Sequence, residues 1–229
     1  MDKAKVAAGR RAAEYVEDGQ TVGLGTGSTV RFTLERLGER IRDEGLTLRG
    51  VPTSLDTESR ARVLGIPLVT LNEVESIDIT IDGADEIDHD FDMIKGGGGA
   101  LLREKVIATL SKRVIIVVHQ AKLVERLGTT FLLPVETVPF ARPAVWRRIE
   151  TLGAQPTLRV TEGGQPYLTD NGNEILDCRF PEGIADAPEL ERILSLVPGA
   201  VENGLFIGLA HVCVVGDADG GVKLHESRE

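Results

Sequence analysis

The chain has 229 residues, 41% of them hydrophobic but only 4% aromatic, so aliphatic side chains must fill the core. Its formal net charge of −10 argues against a nucleic-acid or membrane-surface partner. We find no membrane-spanning run and no leader-like segment, and Cys178 and Cys213 lack metal-ligand spacing. We therefore expect a cytoplasmic protein with reduced thiols.

The first elements in the chain are predicted to be a helix, a strand, a glycine-rich turn and a second helix. The helix ends before Asp18-Gly19, the strand covers 21–24, and Thr26, Gly27, Ser28 and Thr29 form the turn. Backbone N–H groups and hydroxyls at a helix N-terminus suit a phosphate, although these residues could equally be a turn with an N-cap. A dinucleotide is not expected, because valine at position 30 breaks the G-x-G-x-x-G fingerprint.

The next segment repeats the pattern of strand, hydroxyl residues and helix. A strand is predicted at 48–51 and a helix at 55–64, with Ser54 and Thr57 at the helix start. Ser54 is the expected N-cap, which does not prevent it from also binding a ligand. A third strand is predicted at 67–71.

The central strand of the chain ends in carboxylates. Isoleucines alternate with polar residues from Ile77 to Asp82, and Gly83-Ala84 leads to Asp85. Ligands of open α/β sheets lie beyond the carboxyl ends of strands, where two carboxylates could bind sugar hydroxyls or transfer protons. The alternative is a solvated turn, and the calcium-loop order of residues is absent.

A glycine run follows the carboxylates. Lys95 precedes Gly96, Gly97, Gly98 and a fourth glycine, and a helix then begins near residue 100 with Glu104 in its first turns. Consecutive glycines would be a linker in many sequences, but before a helix they can point backbone N–H groups at negative charge. A partly desolvated glutamate at this position could be a general base. The Walker pattern is absent.

The rest of the chain predicts two domains. A β-branched run at 114–118 is typical of a strand buried in a parallel sheet, and Lys122 follows it as a candidate ligand contact or an ordinary surface lysine. The predicted fold class is therefore α/β, with an open, doubly wound, Rossmann-like sheet in a domain of residues 1–128 plus 206–229. The segment between these two parts, residues 129–205, follows the β-α-β-β-α-β order of a smaller ferredoxin-like α+β domain. The elements predicted in this second half are strands 131–138, 157–160, 166–169, 175–178 and 200–206, helices 143–152 and 189–196, and a strand of the large domain at 211–215.

Several motifs together resemble ribose-5-phosphate isomerase of the A type. They are GLGTGST, VPTS, DITIDGADEID, MIKGGGGALLREK, the lysine at 122, LPVE, TDNGNEILD and GLF, in the family's order over nearly the whole chain. The resemblance implies interconversion of D-ribose 5-phosphate and D-ribulose 5-phosphate in the non-oxidative pentose phosphate pathway. It also implies a homodimer or homotetramer with no metal or organic cofactor.

The resemblance also implies roles for individual residues. Glu104 would be the proton acceptor, and Asp82 and Asp85 would bind sugar hydroxyls, one of them assisting ring opening. Lys95 and the Gly96–Gly98 N–H groups would stabilise an enediolate oxygen. The set matched to substrate binding is Thr26, Gly27, Ser28, Thr29, Asp82, Gly83, Ala84, Asp85, Lys95, Gly96, Gly97, Gly98 and Lys122.

Two positions depart from the family's usual pattern. His119 and His211 stand where aspartate is common in the family, so local hydrogen bonding at these positions is expected to differ.

Three other functions are alternatives to the isomerase. A sugar-phosphate deaminase-isomerase or a coenzyme A transferase would need a different catalytic set. A sugar-phosphate-sensing regulator would normally carry a DNA-binding segment, which the acidic charge disfavours.

Overall fold

The computed structural model describes residues 2–227, and the chain divides into two compact units. The first unit consists of Met1–Ala84, Arg103–Lys122 and Leu209–Glu229, and the second consists of Asp85–Leu102 and Leu123–Gly208. The domain boundaries predicted from the sequence stay a prediction. The compact units differ from them because the segment with the glycine run, 85–102, belongs to the second unit, as do residues 123–128.

The helices and strands alternate through the first half of the chain. The α-helices are α1 (Asp2–Ala13), α2 (Val30–Glu39), α3 (Leu55–Val63), α4 (Leu101–Thr109), α5 (Arg142–Thr151) and α6 (Ala187–Ser195). The strands are β1 (Gln20–Leu24), β2 (Leu48–Pro52), β3 (Ile79–Asp82), β4 (Glu86–Ile87), β5 (Met93–Ile94), β6 (Val114–His119), β7 (Leu133–Thr137), β8 (Gln155–Leu158), β9 (Glu174–Arg179), β10 (Ala200–Asn203), β11 (Leu205–Phe206), β12 (Val212–Gly216) and β13 (Val222–Glu226).

The first unit is built on a six-stranded sheet in the order β13-β12-β6-β3-β1-β2. All neighbours are parallel except the antiparallel edge pair β12 and β13. Alternate residues of the strands face two different layers, since Ile79 and Ile81 pack in the larger core with α1 and α2. On the opposite face, a methyl group on Gly23 would meet Thr80 and Ile107 of α4. Layers on both faces make this a doubly wound sheet, as predicted.

The register of this sheet brings the ends of β1 and β3 to one edge. Leu24 at the end of β1 lies beside Ile81, and Asp82 at the end of β3 lies beside Ile116 in β6. The turn after β1 and the carboxylate that ends β3 therefore meet at the carboxyl edge, where ligands bind in open α/β sheets.

The second unit contains an antiparallel sheet in the order β10-β7-β9-β8, with α5 and α6 packed on it. This β-α-β-β-α-β arrangement, with the first and third strands at the centre, is the ferredoxin-like order predicted from the sequence. A separate three-stranded sheet, β11-β5-β4, lies at the base of the glycine run. Cys178 and Cys213 are buried free thiols.

Three predicted strands were wrong in part. Segment 67–71 makes only an isolated bridge from Leu68 to Gly50, because Pro67 has no N–H and Thr70 begins a short capped 3₁₀ turn. Segment 166–169 likewise makes only isolated bridges. The predicted strand 200–206 divides at Gly204 into β10 and β11, which join different sheets. Among residues 2–227, we find no helix with the length and apolar character needed to cross a bilayer.

Candidate active site

In the first unit, Asp82 holds the turn that follows β1. Its Oδ1 accepts hydrogen bonds from the Thr26 N–H at 3.0 Å and the Gly83 N–H at 2.7 Å, and the residue is 2% exposed. A methyl group on Gly25 would lie 2.3 Å from the same oxygen, so only glycine permits this approach. The predicted carboxylate and the predicted phosphate turn are thus one structure.

A cluster of hydroxyl groups surrounds the Thr26 side chain. Thr26 Oγ1 lies 2.7 Å from Thr53 Oγ1, 2.8 Å from Ser54 Oγ and 3.1 Å from Thr57 Oγ1. Thr53, Ser54 and Thr57 are buried. Ser54 also caps α3, because its hydroxyl accepts a hydrogen bond from the Thr57 N–H. Ser54 therefore both caps the helix and supports the turn. Gly27 and Ser28, at the tip of the turn, are exposed.

A lysine of α1 brings positive charge to this turn. Lys5 of α1 donates from Nζ to Ser28 Oγ at 2.8 Å. Burial lowers the pKa of His119 at the end of β6, and the charges of Lys122 and Lys5 lower it further. Lys5 therefore provides cationic charge at a turn rich in N–H and hydroxyl donors. Lys5 is not among the residues predicted from the sequence, because one lysine in a helix has the appearance of an ordinary surface residue.

In the second unit, the glycine run folds against Asp85. The Gly97 N–H donates to Asp85 Oδ2 at 2.7 Å, and the Asp85 N–H donates to the Ile94 carbonyl at 2.8 Å. Gly96 and Gly99 have φ values of +98° and +82°, a region that side chains rarely adopt. The run is therefore a defined turn and not a linker, and one of its predicted oxyanion donors contacts a carboxylate.

Lys95 is buried immediately before this turn. It is 3% exposed, and its Nζ lies 5.3 Å from the centre of the Phe206 ring, a cation–π distance. Its N–H donates to the Gly204 carbonyl at 2.9 Å. A buried ammonium group is costly, so its position beside the glycine turn favours a functional role.

Glu104 lies in the first turn of α4 and is 5% exposed. Val106 lies on the exposed side of α4, and Leu101, Ile107 and Ala108 are buried. A carboxylate in the buried face of a short helix, in place of an apolar residue, marks Glu104 as the candidate base.

The candidate residues are divided between the two compact units. Glu104 and Asp82 belong to the first unit, and Lys95 and Asp85 belong to the second.

Within residues 2–227, no group of three or more histidine, cysteine or acidic side chains is arranged to hold a metal ion.

Comparison with known proteins places these features in a family. The family model described as ribose 5-phosphate isomerase A (phosphoriboisomerase A) matches residues 49–220. The chain belongs to this family. A Bacillus mycoides ribose-5-phosphate isomerase A is 48% identical over 220 residues, with 96% of this chain and 98% of the relative covered.

Solved structures of family members agree over the full length. The ribose 5-phosphate isomerase A of Methanocaldococcus jannaschii is 40% identical with a TM-score of 0.92, and 97% of each chain is covered. A D-ribose-5-phosphate isomerase in complex with phospho-erythronic acid is 36% identical with a TM-score of 0.93 and the same coverage. The fold of both units is therefore that of ribose-5-phosphate isomerase A.

Proposed function

We propose that this chain interconverts D-ribose 5-phosphate and D-ribulose 5-phosphate, as an aldose–ketose isomerase of the non-oxidative pentose phosphate pathway. The observation that carries the proposal is the family match, which covers residues 49–220 in the family model and 96% of the chain in the Bacillus mycoides relative. The predicted site side chains Asp82, Lys95 and Glu104 are all buried. Ionisable groups are withdrawn from water in this way mainly where chemistry or tight pairing requires them.

The reaction moves one proton between adjacent carbons. Glu104 takes the proton from C2 of the open-chain aldose, the C–H electron pair forms the C1–C2 double bond, and the carbonyl oxygen becomes an enediolate oxyanion. Transfer of the O2 proton to O1, with return of the proton from Glu104 to C1, gives the ketose and restores the carboxylate. A carboxylate base and fixed donors to the developing oxyanion are sufficient for this proton transfer.

The remaining predicted residues have roles that fit their contacts. Lys95 and N–H groups of Gly96 to Gly98 stabilise the enediolate oxygen, Asp82 and Asp85 bind sugar hydroxyls, and one of these carboxylates assists ring opening. The Asp85 contact with the Gly97 N–H supports a shared task for the carboxylate and the glycine turn.

The phosphate is assigned to the turn after β1. Thr26, Gly27, Ser28 and Thr29 supply N–H and hydroxyl donors, and Gly83 and Ala84 line the same strand end. The Lys5 contact with Ser28 adds a cation to the set predicted from the sequence, alongside Lys122. Local donors of this kind can hold a phosphate although the whole chain is acidic.

The deciding experiment is conversion of D-ribose 5-phosphate in EDTA by the wild type and by Glu104→Gln. Because the amide keeps the shape and removes the base, we expect kcat to fall by roughly 10²- to 10⁴-fold with substrate still bound. The control is Glu58→Gln, which changes a glutamate on α3 whose side chain pairs with Arg62 at the surface. Near-normal turnover by Glu104→Gln would identify another base, and an inactive wild type would refute the isomerase.

We further propose that the enzyme is a cytoplasmic homodimer or homotetramer whose subunits associate through the second unit. Phe140 is 95% exposed and Leu196 is 70% exposed there. The Val138 N–H donates to the Gly199 carbonyl, so the 138–140 segment lies beside the segment that follows α6. Large apolar side chains exposed at one end of a unit favour self-association.

A further inference from the structure

We propose that Arg159 is a positioning residue of the isomerase, which holds the glycine turn so that its N–H groups keep the direction needed for the oxyanion. The inference rests on the function proposed above and extends it to a residue outside the predicted site. Arg159 follows β8 in the second unit, 60 positions or more along the chain from the glycines it contacts.

Arg159 bonds directly to the backbone of the glycine turn. Its Nη1 donates to the Gly96 carbonyl at 2.9 Å and to the Gly97 carbonyl at 3.2 Å. The Tyr167 hydroxyl, from the same region of the second unit, donates to the Gly98 carbonyl at 3.2 Å. Three successive carbonyl groups of the turn are thus held by two side chains.

The direction of a carbonyl determines the direction of the next N–H. All peptide bonds of the described chain are trans, so C=O and N–H of one peptide plane point in opposite directions. Holding the Gly96 carbonyl orients the Gly97 N–H, which donates to Asp85, and holding the Gly97 carbonyl orients the Gly98 N–H. Within the turn, the Gly99 N–H donates to the Gly96 carbonyl at 2.9 Å. Because consecutive glycines have the greatest backbone freedom, the contacts from Arg159 add a restraint that the turn itself does not supply to the Gly97 carbonyl.

Asp177 in turn fixes Arg159. Its two carboxylate oxygens accept from Arg159 Nε at 2.9 Å and Nη2 at 2.5 Å, which leaves Nη1 for the glycine carbonyls. The two side chains are 14% and 19% exposed, so the bidentate pair is largely shielded from solvent. The guanidinium charge on these carbonyls also polarises their peptide groups and strengthens the opposite N–H groups as donors.

The test compares Arg159→Lys, Arg159→Gln and Asp177→Asn with a matched pair elsewhere in the same unit. Arg142 Nη1 donates to both carboxylate oxygens of Glu174 at 3.0 Å, so Arg142→Lys and Glu174→Gln disturb an ion pair that does not involve the glycine turn. Lysine keeps the charge and loses the planar fork, so Arg159→Lys separates geometry from charge.

We expect kcat for ribose 5-phosphate to fall by roughly 10- to 100-fold in the Arg159 and Asp177 variants, with a much smaller change in KM. Inhibition by phospho-erythronic acid, whose carboxylate resembles the enediolate charge, should weaken in parallel. Amide hydrogen exchange across residues 95–100 should accelerate in the same variants. The Arg142 and Glu174 variants should leave all three readouts near the wild type.

Unchanged kcat and exchange in the Arg159 variants would overturn the inference while leaving the isomerase function intact. An equal loss of kcat in the Arg142 and Glu174 variants would also overturn it, because a general loss of stability would then explain the effect. If the wild type failed to convert ribose 5-phosphate, the proposed function would fail, and the exchange measurement would still decide whether Arg159 holds the turn.

Discussion

At the scale of single residues, the site depends on positions where no side chain fits. A methyl group at Gly97 would lie 2.8 Å from both Asp85 carboxylate oxygens and 2.9 Å from Phe131 Cζ. Both neighbours are side-chain ends, so the expected response is displacement of Asp85 and not collapse of the fold. Gly25 is more restricted, since its added methyl would also meet the Ile81 backbone carbonyl at 2.5 Å.

Gly97→Ala is therefore expected to lower kcat/KM by roughly tenfold or more, because small displacements of a carboxylate that we propose to bind the sugar would be costly. Steady-state kinetics with ribose 5-phosphate, together with the thermal midpoint, measure the two effects separately. Gly163→Ala is the control, because its methyl would meet only Thr161 Oγ1 at 3.8 Å and its backbone has no positive φ. Wild-type kinetics in Gly97→Ala would mean that Asp85 can move without consequence.

At the scale of elements, a buried glutamate organises the loop beside the glycine turn. Glu86 in β4 is fully buried, and its carboxylate accepts from the N–H groups of Gly128, Thr130 and Phe131 at 2.5–2.7 Å. The Thr130 hydroxyl donates to it as well, at 2.7 Å. Because Phe131 of this loop contacts the region of Gly97, the loop is one wall of the turn.

Glu86→Gln removes a charge that accepts four hydrogen bonds and introduces an NH₂ group facing donors. We expect the free energy of unfolding to fall by about 1–3 kcal/mol, as for other buried groups that lose their partners. Urea denaturation measures the change, with Glu162→Gln on an exposed turn as the control. Equal stability of the two variants would show that the loop does not depend on the Glu86 charge.

At the scale of the whole molecule, we expect the subunits to associate through exposed apolar side chains of the second unit. Phe140→Ser removes the most exposed large apolar side chain of the second unit and should shift sedimentation equilibrium toward smaller species, since interfaces depend on a few large apolar anchors. Val63→Ser, at an 85% exposed valine of α3 in the first unit, is the control. Identical mass distributions for wild type and Phe140→Ser would place the interface elsewhere.

Much of the architecture could be predicted because it is encoded locally. Period-two isoleucines predicted β3, the β-branched run predicted β6, and turn residues separated the strands from helices. The segment 67–71 was predicted wrongly because its apolar composition suits a strand, whereas proline and the edge position limited its pairing. Its hydrogen bonding depends on neighbours that sequence periodicity does not reveal.

The fold class, the family and the candidate site residues could be predicted from the sequence, because motif order and residue chemistry are written along the chain. How those groups are held depends on contacts that form only in the folded chain. Lys5 meets Ser28 and Arg159 meets Gly96 across long separations in sequence, and such contacts follow from strand register and helix packing. Local patterns contain no information about which distant donor reaches a given carbonyl or hydroxyl, so these supporting residues resemble ordinary surface or ion-pair side chains until the fold is known.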